Sequence, residues 1–296
     1  MIMSLSKTRL LGLIALIILT FIWAYNWIVM KSALIYMSAT DFSAYRTVLA
    51  FLMLLVVLKI SGRSLAPTPF WPTMLIGFFQ TTGMIGLAQI ALIVGGAGKV
   101  TILVYTMPFW IALLSVFVLK EQLGLLQIIA LITAAMGLLC IIQPWNSQNS
   151  LLSSFFALLS GLFWGIGAVI AKRLYRNLTI DTLSLTTWQM GYGAIFLVIL
   201  SLIVADHHVM NAPYLWFALF YTIIPATALA WVLWMYILKT MNASVAGLST
   251  LLIPVITLFL SWWLLHERPN HFEFLGVFLI LLGLVFINYH PKRSLV

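Results

Sequence analysis

Ten runs of about twenty apolar residues follow one another along this chain, parted only by short polar stretches. They fall near 10–30, 42–60, 71–94, 99–119, 123–143, 151–171, 182–205, 213–237, 243–265 and 271–289. A helix needs about 20 residues to cross a hydrocarbon core about 30 Å thick, so each run has the length of one span. Ten spans use about 200 residues of the 296 available, which leaves no room for a separate soluble domain. Only 7% of the residues are charged, against roughly 25% in an ordinary soluble protein. The expected fold class is therefore all-α: a polytopic membrane protein of ten transmembrane helices, with the lipid bilayer as its obligatory partner. The first run, from Leu10 to Met30, is too long for a signal-peptide core and no small-residue cleavage site follows it, so it reads as a retained helix.

Fifteen Lys and Arg stand against six Asp and Glu. In a soluble protein that excess would suggest nucleic acid. Here its distribution explains it, and no nucleic-acid partner is expected. With a cytoplasmic N-terminus, the inner span ends carry Lys7, Arg9, Lys59, Arg63, Lys120, Lys172, Arg173, Arg176, Lys239, Lys292 and Arg293. The outer ends carry Lys31, Lys99 and Arg268. Basic residues gather on the cytoplasmic side of membrane proteins, so both termini are expected inside. The single cysteine, Cys140, permits neither an intrachain disulfide nor a Cys-based metal site. No metal or cofactor is expected.

The chain repeats itself. A shift of 146 residues aligns Ala97 with Ala243, Pro108 with Pro254, Ser115 with Ser261, Leu119 with Leu265, Glu121 with Glu267 and Gly137 with Gly283, and a shift of 141 pairs Trp23 with Trp164 and Lys31 with Lys172. A longer connection around Asp206, His207 and His208 absorbs the drift. The polar stretch from Gln143 to Ser150 divides the halves, giving repeats at 1–145 and 150–296. Five spans per repeat, an odd number, invert the second copy relative to the first. Inverted repeats are how many secondary transporters hold a substrate at the midplane between two openings.

Three segments carry a more specific likeness: FIWAYNWIVMKSAL from Phe21, AGKVTILVYTMPFWIALLSVFVLKEQL from Ala97, and its echo ASVAGLSTLLIPVITLFLSWWLLHER from Ala243. On these the chain resembles the drug/metabolite transporter superfamily, in its EamA-type branch of ten-helix proteins. The resemblance implies a bacterial inner-membrane carrier exporting amino acids, related metabolites or foreign compounds. It also implies a cavity lined by the first, third, fourth, sixth, eighth and ninth helices.

Candidate site residues follow from position. Arg46 is the one ionisable group well inside a span; it either faces a cavity and binds an anion or snorkels to the surface. At 100° per residue Trp23, Asn26, Trp27 and Met30 share one face of the first helix, and Thr227, Trp231 and Trp234 one face of the eighth. These faces, with Gln80 on the third helix, Tyr105 on the fourth and Trp164 on the sixth, are the substrate-binding candidates. The alternative for the deep aromatics is packing or lipid contact, while Trp71, Trp145, Trp216, Trp262 and Trp263 suit the interfacial belt. Gln89 lies nearly opposite Gln80, and a distortion at Gly83 or Gly86 would be needed to bring both to one cavity. Pro108 and Pro254 each remove a backbone hydrogen bond within a span and are expected as paired hinges. Gly161, Gly165 and Gly167 read as close helix packing. Lys99 is either an anion attractor or a solvated end charge. Glu121 and Glu267 precede their following helices, where a carboxylate would cap the open N–H groups.

All six carboxylates fall near span ends, so a midplane proton relay is disfavoured. No nucleotide-binding loop and no H-E-x-x-H motif is present. The leading reading is a secondary transporter working by alternating access on a small molecule with an aromatic or apolar part, and not an enzyme. A passive channel and, behind it, an intramembrane enzyme are the alternatives, and a homodimer is compatible with the reading.

Overall fold

In hydrocarbon every backbone N–H and C=O must find a partner within the protein, and an apolar run of span length does so only as a helix. The computed structural model describes residues 7–143, 151–204 and 207–288. Their elements are α1 Lys7–Ala33, α2 Ala39–Ile60, α3 Phe70–Val94, α4 Ala97–Leu119, α5 Leu125–Ile142, α6 Leu151–Asn177, α7 Thr182–Val204, α8 Pro213–Thr240, α9 Ala243–Leu265 and α10 His271–Asn288. Eight are long and apolar enough to span a membrane; α5 and α10, at 18 residues each, meet the lower limit. Among the described residues there is no β-strand, only an isolated bridge between Met37 and Val209. The expected polytopic all-α fold is present. Trp145, Asp206, Lys292, Arg293 and the stretch 144–150 lie outside the described residues, as do the side chains of Lys7 and Arg9.

The helices sort into two mixed bundles. α1 of the first half packs chiefly on α8 and α9 of the second, whereas α6 of the second half packs on α3 and α4 of the first. Flanking these, α2 lies along α7 and α5 along α10. Hydrogen bonds tie each bundle internally: Thr257 Oγ1 donates to Ala24 O (3.2 Å) and Tyr221 Oη to Ile22 O (2.9 Å) in one, and Ser160 Oγ to Met84 O and Ser153 Oγ to Ala91 O (both 2.8 Å) in the other. The expected close packing at Gly161 and Gly165 is against α4, and at Gly167 against Gln80 of α3. Trp71, Trp216, Trp262 and Trp263 are all exposed on the outer shell, where belt anchors belong.

Matching irregularities mark both halves. A wide, π-type turn occupies Gly77–Gly83 in α3 and another occupies Ile224–Leu229 in α8, around Pro225. α4 breaks at Tyr105 and Thr106 ahead of Pro108, where the Thr106 hydroxyl and N–H both reach back to Leu103 O (2.8 and 3.2 Å). α9 breaks at Thr250 and Leu251 ahead of Pro254, with Thr250 bonding Gly247 O in the same way (2.7 and 3.1 Å). Each hydroxyl helps occupy the carbonyls that a broken helix frees. Both helices then end on a left-handed residue, Lys120 (φ 53°) and His266 (φ 57°).

Those endings correct one sequence expectation. Glu121 and Glu267 do cap helix N-termini, but not those of the helices that follow them. Glu121 accepts from the N–H groups of Ala243 and Ser244 at the start of α9 (3.3 and 3.5 Å) and from the Ser244 hydroxyl (2.9 Å). Glu267 accepts from the N–H groups of Ala97 and Gly98 at the start of α4 (3.2 and 3.4 Å). The left-handed turn throws each carboxylate across to the opposite half. α5 and α10 are started locally instead: Gln127 Oε1 takes the Gly124 N–H (2.8 Å), and Asn270 with Glu273 forms a reciprocal box (3.1 and 2.6 Å).

Candidate functional site

The middle of the molecule is built from rings. Trp23 lies ten residues before the end of α1, about 15 Å along the helix and so near mid-depth. Its ring meets Trp164 of α6 edge-on at 5.2 Å and Trp231 of α8 at 5.5 Å, while Trp164 meets Trp234 at 5.5 Å and Tyr105 of α4 at 5.3 Å. Edge-to-face contact of this kind adds about 0.5–1.5 kcal/mol per pair beyond simple burial. The wide turn of α8 frees Ala226 O, and the Trp23 indole N–H donates to it at 3.1 Å.

Beside the rings lies a chamber lined by Trp23, Asn26, Trp27, Met30, Arg46, Met84, Ile85, Ala88, Tyr105 and Trp231. Its free volume of ≈ 20 Å³ admits about one water molecule. A larger groove of ≈ 440 Å³ runs between α2 and α7 on the outer shell, beside Asp41, Ser201 and His207. Asp41 is held there by Ser201 and by His207 Nδ1 (3.2 Å). The groove faces outward between exposed Tyr45, Leu49 and Leu202, so the inner chamber is the better candidate site.

Arg46 does not snorkel: it is 3% exposed, and its side chain turns inward. Nε and Nη2 donate to Thr227 Oγ1 of α8 (3.1 and 2.8 Å), and Nη1 reaches the Met30 sulfur at 2.8 Å. Among the described residues no carboxylate pairs with it. One turn before Met30, Asn26 Nδ2 contacts the same sulfur at 3.2 Å, and Asn26 Oδ1 is buried without a hydrogen-bond partner.

Six of the ten substrate-binding candidates, Trp23, Asn26, Trp27, Arg46, Tyr105 and Trp231, line the chamber. Thr227 stands one contact back, on Arg46, and Trp164 and Trp234 form the ring layer behind. Gln80 lies apart, buried against Gly167 of α6; both its amide ends lack partners, as do those of Gln89. The wall from α3 consists instead of Met84, Ile85 and Ala88. Helical phase read straight through α3 misses them because the wide turn at Gly77–Gly83 resets the register. The expected distortion exists, but it precedes Met84. Pro108 packs beside Gly247, whose added Cβ would lie 3.4 Å from the proline Cα, so the two helix breaks adjoin. Lys99 lies within electrostatic reach of Glu273 at one end of the bundle. At the other end Arg63 bonds Asp181. Burial pushes the Asp181 carboxyl up, but Arg63 and Ser184 outweigh it and hold the group below its ordinary value.

A ten-helix membrane bundle enclosing a polar-spotted aromatic chamber defines a polytopic integral membrane protein of the transport class. The EamA-like transporter family matches residues 10–143 and again 151–289, and this chain belongs to that family. It is 28% identical over 283 residues to the uncharacterised transporter YoaV of Bacillus subtilis (strain 168), covering 93% of this chain and 96% of that one. It is 26% identical over 298 residues, 95% of each chain, to a probable amino-acid metabolite efflux pump of Escherichia coli (strain K12). A crystal structure with 17% sequence identity superposes with a TM-score of 0.76, covering 96% of this chain and 97% of that one, which shows a shared fold.

Proposed function

We propose that this protein is a secondary carrier that exports small metabolites, amino acids or related amphiphiles among them, from the cytoplasm by alternating access. Its two repeats, 1–145 and 150–296, are inverted copies, both termini are cytoplasmic, and the membrane is a bacterial inner membrane. The observation that carries the reading is the chamber itself: it lies at mid-depth between two bundles that each mix helices from both halves, and its ≈ 20 Å³ is too small for any such cargo. A cargo enters only if the bundles part, and parting at one end at a time is alternating access. Pro108 and Pro254, beside adjoining helix breaks, are the hinge positions this motion would use. The Escherichia coli relative, a probable amino-acid metabolite efflux pump, supports the cargo class and the outward direction.

The test is counterflow in proteoliposomes. Vesicles loaded with unlabelled amino acid or aromatic metabolite should transiently accumulate the labelled form, and uptake should saturate. Uptake that is linear in concentration without counterflow would point to a channel. No flux across a broad panel, with folding verified, would overturn the reading.

A further inference from the structure

We infer that Arg46 is the receptor for a carboxylate on the transported molecule, a statement that rests on the carrier reading above. A guanidinium taken out of water without a counter-charge is costly, and such groups in membrane helices mark ion or substrate sites. Every carboxylate among the described residues is engaged elsewhere: Asp41 with Ser201 and His207, Asp181 with Arg63, Glu121 and Glu267 with helix N-termini, Glu273 with Asn270. None of these five lies on Arg46, so the counter-charge we assign to it is one the cargo brings. Its second partner, the Met30 thioether, is a weak acceptor on a flexible side chain. A carboxylate displacing that sulfur gains paired N–H donors in the planar geometry the guanidinium offers. Asn26 Oδ1 waits one turn away as an unused acceptor, and the faces of Trp23 and Trp231 complete the wall. The cargo is thus a small organic carboxylate bearing a flat apolar group and a hydrogen-bond donor.

The test uses the purified full chain in nanodiscs with three matched probes that all carry a phenyl ring and a hydroxyl donor: 3-phenyllactate, its neutral amide, and the amine 1-amino-3-phenylpropan-2-ol. Calorimetric titration should show the carboxylate binding at least about tenfold more tightly than the amide, worth about 1.4 kcal/mol, and Arg46→Met should erase that preference. The wild-type comparison stands even where the variant fails to fold. If the amide or the amine binds as well as the carboxylate, the Arg46 assignment falls while the carrier reading survives. Binding by none of the three also overturns it, and absence of counterflow for every metabolite then removes the carrier reading separately.

A different set of contacts carries a second inference. At mid-depth the two bundles meet through rings, but at each end two charged side chains of one bundle grip the loop that joins two helices of the other. At one end Lys31 of α1 donates to Leu92 O at the close of α3 (2.7 Å), and Glu267, just past α9, holds the N–H groups that open α4. At the opposite end Lys172 of α6 donates to Leu238 O (2.7 Å) and Met241 O at the close of α8, and Glu121, just past α4, holds those that open α9. A cation on a helix C-terminus and an anion on the next N-terminus both complement the helix dipoles. We propose that these two clasps are the gates, each released while the other holds.

With Cys140→Ser as background, Ala88→Cys places a thiol on the chamber wall. Labelling by a membrane-impermeant methanethiosulfonate is then read from each side of oriented vesicles. Lys31→Met with Glu267→Gln should speed labelling several-fold from one side only, and Lys172→Met with Glu121→Gln from the other side only. Equal acceleration on both sides, or none in either pair, would overturn the gate assignment. A merely structural role would lower stability without this sidedness.

Discussion

Gly161 offers a sharp test of the packing that positions the chamber, because two effects there oppose each other. An ideal Cβ at this position would stand 2.6 Å from Val104 O, 2.8 Å from Thr106 Oγ1 and 3.3 Å from Leu103 O, two carbonyls and a hydroxyl of the α4 break. Ordinary contact begins near 3.4 Å, so the overlap with Val104 O is 3.4 − 2.6 = 0.8 Å. Val104 O is backbone and cannot rotate away, and the Thr106 hydroxyl is committed to Leu103 O at 2.8 Å. α4 and α6 must therefore separate by most of an ångström, and a gap of that size forfeits a quarter to a half of each dispersion contact across it. Overpacking of this kind costs about 1–3 kcal/mol. Helix propensity pulls the other way by about 0.8–1 kcal/mol for Gly→Ala. Since the obstacle is rigid, the upper part of the overpacking range applies and Gly161→Ala loses about 1–2 kcal/mol net. At about 2–4 °C per kcal/mol, tryptophan-fluorescence melting in detergent should show a midpoint several degrees lower. Gly86→Ala is the control, because it lies inside α3 and its Cβ would meet only the rotatable methyls of Leu197 (3.2 Å) and Leu200 (3.4 Å). A Gly161→Ala midpoint at or above the wild-type value would mean that propensity wins and that the α4–α6 contact is looser than described.

The ring cluster predicts that Trp23→Ala and Trp231→Ala each reduce transport more than membrane abundance, measured as counterflow per unit of protein; unchanged counterflow in both would remove them from the site. At the junction of α5 and α10, Asn270 caps the Glu273 N–H and exchanges two amide bonds of 3.0 Å with Gln143. Asn270→Ala should therefore cost about 1–2 kcal/mol, read as a lower melting midpoint, and an unchanged midpoint would contradict the cap. The depressed Asp181 carboxyl adds stability above its unfolded pKa, and that increment is lost as pH falls through its folded value. Because both partners are more than a third exposed, the ion pair is worth at most about 1 kcal/mol. Asp181→Asn should flatten the acid limb of melting midpoint against pH, and an identical limb in the variant would refute the assignment.

Local pattern was enough for much of this protein. The ten apolar runs gave the helices, because backbone groups in lipid have no alternative partner. A 100° wheel placed Trp23, Asn26 and Trp27 on one face of α1, and they do line one wall, because α1 is uninterrupted from Lys7 to Ala33. The inward turn of Arg46 was one of two open readings until Thr227, 181 residues away in sequence, supplied its acceptor. On α3 the wheel chose Gln80, whereas Met84, Ile85 and Ala88 reach the chamber. Phase is conserved only while each turn closes on the fourth residue, and the turn at Gly77–Gly83 does not. The carboxylates show the same division. Sequence placed Glu121 and Glu267 next to helix N-termini and identified the chemistry of capping. Which N-termini they cap was decided only when the left-handed residues Lys120 and His266 directed them into the opposite half, since a hydrogen bond depends on distance in space and a local pattern records only distance along the chain.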